Sequence, residues 1–203
     1  VASLEYLLHF DIDKRNFTIV DVDEDGHKLQ QYNRLLFCDS KKRIWAGGEM
    51  GISVFNQVGT SLLPNTDFQI ASVLKQAFVN CFYETSSGYL WIGTRNGLFA
   101  LKESDKQFLQ YTTENGLPSN VIYGILEDAY GRLWISTNQG LSCLNPESGK
   151  FRNFTIMDGL QGNQFNAGAY CRKDNGYMLF GGVNGITSFR PETLIDNPYA
   201  PKP

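Results

Sequence analysis

The chain has 203 residues, 19% of them charged, and a formal net charge of −3, which argues against nucleic acid as a partner. Every apolar run falls short of the roughly 18 to 20 residues that span a bilayer, so a membrane could be reached only through other segments of a parent protein. Twenty glycines and 13% aromatic residues are typical of a β-rich protein with many tight turns.

The N-terminal region carries part of a repeated unit. Its stretch "EYLLHFDIDKRNFTIV" (Glu5–Val20) aligns with "LSCLNPESGKFRNFTI" (Leu141–Ile156), so we expect residues 1–32 to supply the last two strands of one unit and a connection. Val1–Phe10 has neither the basic start nor the cleavage site of a signal peptide. Because the chain begins without Met and ends on "PYAPKP", we expect it to be a segment of a longer protein.

One stretch of the N-terminal region resembles a metal loop. The stretch "DVDEDG" (Asp21–Gly26) matches the start of a calcium-binding loop, but Tyr32 stands where the bidentate Glu is required. An acidic solvated turn is predicted, with a weak calcium site as the alternative. His9 and His27 have no repeated partner for zinc or for a nucleophile–base pair. We predict no metal, no cofactor and no catalytic residue.

Four stretches of the chain repeat one pattern. They read "IWAGGEMGISVFN", "LWIGTRNGLFALK", "LWISTNQGLSCLN" and "MLFGGVNGITSFR". Their alignment puts Trp45, Trp91, Trp134 and Leu179 in one column, spaced 46, 43 and 45 residues apart. This period, with strand-like content and no helical periodicity, is typical of β-propeller blades. We call this alignment position the tryptophan column.

Each repeat divides into four short strands, A to D, joined by turns rich in Gly and Asn. In the clearest copy we predict strand A at Val121–Glu127, B at Leu133–Thr137, C at Leu141–Asn145 and D at Phe151–Thr155. Strand B is apolar at consecutive positions, which indicates burial on both faces between neighbouring sheets. Its tryptophan is expected to fill the space between blades, with sugar stacking as the alternative. The small residues that follow permit close backbone approach.

The repeats predict an all-β protein made of blades of four antiparallel strands. We expect a partial arc of about four blades from a larger, seven-bladed β-propeller; closure into a four-bladed ring is the alternative. The predicted units are residues 1–32, 33–76, 77–119, 120–164 and 165–191, followed by a linker at 192–203.

The four cysteines do not fall at matched positions of the repeats and lack CxxC spacing. We therefore predict free thiols buried as small hydrophobic residues.

Because strands alternate in direction, the D-to-A connections and B-to-C turns share one face of the disc, which we name the amide face. Its side chains both donate and accept hydrogen bonds, as sugar hydroxyls require, and an arginine there would grip a carboxylate or sulfate. Two structural alternatives stay open: Asn in a B-to-C turn for its backbone angle, and Asn120 as a loop cap. The candidate ligand-binding residues are Arg95, Asn96, Asn120, Asn138, Gln139, Asn163, Gln164, Asn166 and Asn184.

The stretch "GLPSNVIYGILEDAYGRLWISTNQGL" resembles the two-component regulator propeller repeat, and "FGGVNGITSFRPETLIDNPYAPKP" resembles a last blade of such a sensor. The resemblance is specific from Asn80 onward; residues 1–70 match loosely, with Ala46 and Glu49–Met50 off the pattern. It implies a periplasmic sensor segment of a hybrid histidine kinase, with seven-bladed propellers that bind an oligosaccharide, usually in a homodimer.

Three functions are therefore distinguished. The first is a glycan-sensing propeller without catalysis of its own, whose parent chain is a histidine kinase of the inner membrane. The second is a propeller for protein interaction. The third is a polysaccharide-lyase-like enzyme, which would need a cluster of His, Tyr or Arg that we do not find in the sequence.

Overall fold

The computed structural model describes residues 7–11, 14–20, 33–58, 61–67, 69–75, 77–102 and 107–194. The acidic stretch Asp21–Gly26, His27 and the predicted linker from residue 195 onward lie outside these ranges. The strands are β1 (Leu7–Asp11), β2 (Asn16–Val20), β3 (Asn33–Cys38), β4 (Ile44–Gly48), β5 (Gly51–Val58), β6 (Ser61–Pro64), β7 (Val79–Glu84), β8 (Tyr89–Thr94), β9 (Leu98–Lys102), β10 (Gln107–Tyr111), β11 (Ile122–Glu127), β12 (Leu133–Thr137), β13 (Gly140–Asn145), β14 (Lys150–Phe154), β15 (Phe165–Arg172), β16 (Met178–Gly182) and β17 (Gly185–Phe189).

These strands form antiparallel sheets in simple up-and-down order. We name β3–β6 the first blade, β7–β10 the second, β11–β14 the third and the three-stranded sheet β15–β17 the fourth. The all-β prediction is confirmed. In the third blade the predicted strand ends differ from the observed ones by one residue at most. Within the described ranges, strands β1 and β2 pair with each other and not with the fourth blade, whereas the closed-ring alternative requires them to complete it.

The tryptophan column occupies one position in every blade. Strand B of each blade contains one residue of the column, paired with strands A and C on either side: Trp45, Trp91, Trp134 and Leu179. The repeats seen in the sequence are therefore equivalent strands in successive sheets.

The core lies between the blades, and the tryptophans fill it. Trp91 packs with Ile122 and Ile125 of the third blade. Trp134 packs with Phe165 and Phe180 of the fourth. All three tryptophans are buried, which confirms their prediction as inter-blade core residues. Apolar burial between sheets is the main favourable contribution to such an assembly.

Glycine lets neighbouring blades approach closely. A Cβ atom added to Gly93 of strand B would overlap the side chains of Cys81 and Ile122. In strand A of the third blade, the ring of Tyr170 lies directly against Gly124. At both positions any larger residue would force the sheets apart.

Hydrogen bonds also link neighbouring blades. The backbone N–H and hydroxyl of Ser40 both donate to the carboxylate of Glu84 in the next blade, at 2.7 Å each. Ser86 and Glu127 repeat this pair at 3.0 Å. The A-to-B turn of the third blade has Ala129 in place of the serine. There the Arg172 side chain of the fourth blade donates to the backbone carbonyl of Glu127 in the third blade at 2.9 Å.

The D-to-A connections differ between blades. After β10 and β14 the chain forms 3-10 helices at Thr113–Asn115 and Ile156–Asp158, each capped by the preceding threonine and ended by a left-handed glycine. The first-to-second connection instead contains α1 (Gln69–Val73), which the sequence did not predict. Helix α1 buries Ile70 beside the first blade. This difference coincides with the absence of the "GLPSN" pattern there.

All four cysteines are free, as predicted, but the prediction of burial is wrong for two of them. Cys81 and Cys143 are buried between blades, whereas Cys38 and Cys171 are exposed. Cys38 ends strand A, and Cys171 lies near the end of β15, on the last sheet that the structure describes.

Cysteine labelling checks this arrangement. Burial raises the pKa of the Cys81 thiol to about 12, so its reactive thiolate is scarce in the folded protein. We expect a thiol reagent to modify Cys38 and Cys171 in the native protein, and all four cysteines only in denaturant. Mass spectrometry of labelled peptides would identify them. Rapid native labelling at Cys81 would contradict the packing of the second blade against the third.

Candidate functional site

The B-to-C turns of the second and third blades share one geometry. The hydroxyl of Thr94 donates to the carbonyl of Gly97 at 2.8 Å and accepts from the backbone N–H of Asn96 at 2.9 Å. Thr137 makes the same pair of bonds with Gly140 and Gln139, at 2.8 and 3.0 Å. The threonine hydroxyl thus holds the backbone of each turn. These bonds do not use the side chains of Asn96 and Gln139.

Glycine supplies the unusual backbone angle in these turns. Gly97, Gly140 and Gly185 have φ of 118°, 114° and 129°, while Asn96 and Asn138 do not have positive φ. The amides of these turns are therefore not required by the backbone, which removes the first structural alternative for them.

Two of the candidate residues are used by the fold itself. Asn120 accepts a hydrogen bond from the backbone N–H of Thr113 at 2.8 Å, and its carbonyl accepts from Gly97 at 2.8 Å. Asn163 likewise accepts from Ile156 at 2.9 Å. These two amides tie the D-to-A connections to the B-to-C turns, so their oxygens serve the loops first.

The fourth blade adds amides to the same face. Asn184, Gln164 and Asn166 are exposed. Gln161, which the sequence prediction omitted, accepts from the backbone N–H of Asn184 at 2.8 Å and donates to the carbonyl of Gln164 at 3.3 Å. Its place in the "GLQGN" connection marks it as a member of the amide face.

Arg95 is a cation of the amide face. It is exposed, and its guanidinium lies 3.7 Å from the centroid of the Phe78 ring. Stacking on an aromatic ring holds the planar group in place and leaves its edges available to an anion.

The side chain of Asn138 carries an acceptor that the described part of the fold does not use. Its Oδ1 atom is buried and has no hydrogen-bond partner among the residues that the structure describes. A buried acceptor without a donor is destabilising, so it marks a place where a bound donor would be favourable. A sugar hydroxyl is such a donor.

The opposite face, with the A-to-B and C-to-D turns, holds a repeated ionic cluster. The carboxylate of Asp39 accepts from the guanidinium of Arg43 at 2.6 Å and from the indole N–H of Trp45 at 2.8 Å. Asp128 accepts from Arg132 and Trp134 at 2.7 and 2.9 Å. This cluster fixes the column tryptophans of the first and third blades.

The Asp39 cluster predicts a pH dependence of stability. Burial opposes ionisation of Asp39, but hydrogen bonds from Trp45 and Arg43 outweigh it and hold the pKa of the carboxyl below its ordinary value. The stabilisation is therefore fully present above about pH 3.9 and lost as pH falls through the folded-state pKa. Urea unfolding should show the stability gap between wild type and Asp39→Asn narrowing from about pH 7 to pH 3. A gap that stays constant would contradict the assignment.

The described residues hold neither a metal centre nor a membrane-spanning helix. In these ranges no three His, Cys, Asp or Glu side chains cluster in a way that would hold a metal ion. Nor does this part of the chain contain a helix with the length and apolar character to cross a membrane.

Two stretches of the sequence match the model of a known family. The model of the two-component regulator propeller matches residues 74–96 and 116–139, which include the B-to-C residues Arg95, Asn96 and Asn138. A curated relative, histidine kinase P4 of Formosa agariphila, is 29% identical over 203 residues; the match covers 96% of this chain and 15% of the kinase. The chain thus spans a small part of that protein.

Solved structures share the fold. The extracellular domain of the hybrid two-component system BT3049 from B. thetaiotaomicron superposes with a TM-score of 0.71 at 22% identity, over 95% of this chain and 29% of that domain. PorZ, a surface component of the type-IX secretion system of Porphyromonas gingivalis, gives 0.68 at 15% identity, over 93% of this chain and 29% of PorZ. The chain therefore has the β-propeller fold, and residues 74–96 and 116–139 are similar to the two-component regulator propeller.

Proposed function

We propose that this chain is a ligand-sensing segment of the periplasmic region of a hybrid two-component histidine kinase, and that it binds an oligosaccharide through its amide face. The observation that carries the proposal is the set of amides at the B-to-C turns, above all the acceptor of Asn138, which has no partner in the described ranges. The segment binds its ligand without transforming it, and the parent chain supplies the kinase.

The comparisons support the setting of this proposal. The curated relative is a histidine kinase, and one solved structure of the same fold is the extracellular domain of a hybrid two-component system. In the proposed receptor, membrane and kinase segments of the parent chain carry the signal, and two copies of the receptor form a homodimer.

A ligand that spans several turns would link separate blades. Asn96, Asn138 and Asn184 belong to the second, third and fourth blades, and each lies in the B-to-C turn. An oligosaccharide contacting more than one of them would favour one arrangement of the blades. Such differential binding is what allows a ligand to shift a receptor between states.

The test replaces Asn138 with alanine. Because the variant removes an unpartnered buried acceptor, thermal unfolding should show no loss of stability. The affinity for the cognate oligosaccharide, measured by calorimetry, should fall by about tenfold because one hydrogen bond to the ligand is lost. Asn175→Ala, an exposed amide in an A-to-B turn on the opposite face, is the matched control and should bind as wild type does. Equal affinities for the two variants would place the ligand elsewhere.

A protein partner is the second candidate, because apolar side chains adjoin the amides. Met157 is 89% exposed in the connection before Asn163, and Ile156 and Val183 are also exposed on the amide face. Large exposed apolar residues are typical of interaction surfaces. A solved structure of the same fold, YCF48, is described as bound to a D1 peptide. Binding of a protein through the surface around Met157, with no binding of any sugar tested, would favour this function.

A further inference from the structure

A cavity of about 260 Å³ lies between the second and third blades, on the face opposite the amide face. We name it the aromatic pocket. Tyr89, Trp91 and Tyr111 of the second blade form one side, where the Trp91 ring stacks on Tyr111 with centroids 5.9 Å apart. Glu127 and the rim residues Tyr130 and Glu147 of the third blade form the other.

The equivalent cleft, between the first and second blades, is lined by different residues. There Asp39 and Arg43 line a smaller cavity of about 210 Å³ beside Trp45, and the Asp39 carboxylate accepts the indole N–H. In the second blade, Thr85 and Tyr89 stand at the positions of this aspartate and arginine. The aromatic pocket has thus exchanged an internal ion pair for an aromatic wall.

The exchange leaves a donor without an acceptor. The Thr85 hydroxyl is engaged with the backbone of Tyr89, accepting from its N–H at 3.1 Å and donating to its carbonyl at 3.2 Å. Trp91 is 2% exposed, and its indole N–H has no partner among the described residues. An oxygen from a ligand at the inner end of the pocket would take the role that Asp39 has in the first blade.

The charges around the pocket select the class of ligand. Lys102 already lies 5.2 Å from the centroid of the Tyr89 ring, and Arg132 lies 5.2 Å from that of Tyr130, so these rings already carry cations. A bound ammonium would also bring no acceptor to the Trp91 N–H. The carboxylates of Glu127 and Glu147 offset the charges of Lys102 and Arg132, so the pocket has no excess positive charge to attract an anion.

Size and chemistry together favour a single ring. The cavity is smaller than the roughly 300 to 1,000 Å³ of sites for drug-sized ligands. Its aromatic wall suits the apolar face of a sugar, and the exposed Glu147 can accept hydroxyl groups. We propose that the aromatic pocket binds one neutral sugar ring, with a ring or hydroxyl oxygen accepting the Trp91 indole N–H. Only the choice of sugars is shared with the proposed function, since this pocket lies on the other face.

Nitrogen-15 NMR of the 203-residue chain gives a direct readout, because Trp45, Trp91 and Trp134 supply three indole N–H signals. The probes are glucose, galactose, mannose and xylose. At least one should shift the Trp91 signal saturably and leave those of Trp45 and Trp134 in place. Trp91→Phe assigns the signal.

Thr85→Asp tests the mechanism, because it supplies the internal carboxylate that Asp39 provides in the first blade. It should move the Trp91 signal without sugar and weaken sugar binding by about tenfold. Thr85→Ser, which keeps the hydroxyl, is its control and should bind as wild type does. Tyr130→Ala, at the exposed rim, should also weaken binding and serves if Thr85→Asp fails to fold.

The proposal would be overturned by a Trp91 signal unmoved by all four sugars, by unchanged affinity in both Thr85→Asp and Tyr130→Ala, or by a larger shift with tetramethylammonium. Shifts confined to the side-chain amides of Asn96 and Asn138 would also overturn it, while supporting the proposed function. A sugar-induced Trp91 shift that survives Asn138→Ala would separate the two sites.

Discussion

Replacement of Asp128 by alanine is expected to lower the free energy of unfolding by about 3 kcal/mol. Its fully buried carboxylate accepts hydrogen bonds from the backbone N–H groups of Tyr130 and Arg132, the Arg132 guanidinium and the Trp134 indole. The substitution leaves these donors without an acceptor and removes the charge that faces Arg132. The Arg132 side chain keeps partial contact with water, which holds the loss toward the low end of the range for broken buried pairs.

Thr85→Ala is the matched control for Asp128→Ala, since Thr85 holds the equivalent place in the second blade. The loss of unfolding free energy should be about 1 kcal/mol, because the Trp91 indole N–H already lacks a partner in the part of the chain that the structure describes. Urea unfolding of both variants gives the comparison, provided that the denaturant slope is unchanged. Equal losses would show that the aspartate cluster is not what fixes the column tryptophan.

Trp134→Ala is expected to destabilise the chain by about 3 to 5 kcal/mol, the range for deleting a large buried aromatic side chain. The Trp134 ring stacks on Phe154 of its own blade, with centroids 5.4 Å apart, and lies 4.7 Å from the ring of Phe189 in the fourth blade. Its removal therefore opens a cavity between two sheets.

Tyr130→Ala, four residues before Trp134, is the control because this tyrosine is 67% exposed. Its effect should stay within about 0.5 kcal/mol, as for ordinary surface substitutions. Hydrogen exchange should show that the backbone amides of β15–β17 lose protection in Trp134→Ala and keep it in Tyr130→Ala. A small effect of Trp134→Ala would mean that each blade is held by its own contacts and that the inter-blade core contributes little.

The repeat made the fold predictable from sequence. The column Trp45, Trp91 and Trp134 was visible because equivalent strands need the same large residue between sheets, and the turn glycines followed at a fixed distance. Helix α1 could not be predicted this way, since the first-to-second connection departs from the repeat and its five residues are too few for a helical period.

The candidate sites were predictable only in part. Alternation of strand direction placed the amides on one face, but hydrogen bonding decides which of them the fold uses, and the oxygens of Asn120 and Asn163 proved to be committed to the loops. The aromatic pocket had a sequence signal: Thr85 and Tyr89 break the column of Asp and Arg seen in the first and third blades. The sequence does not show that the Trp91 indole N–H has no acceptor among the described residues. Three-dimensional contacts were needed for that.

The central claim is that this propeller segment recognises a glycan without reacting with it. Calorimetric titration of the 203-residue chain with a panel of oligosaccharides, followed by chromatography of each sample, tests that claim most directly. The account predicts saturable heat for at least one oligosaccharide, weakened by Asn138→Ala, and sugars recovered intact. Silence from every sugar, or the appearance of cleaved products, would contradict it.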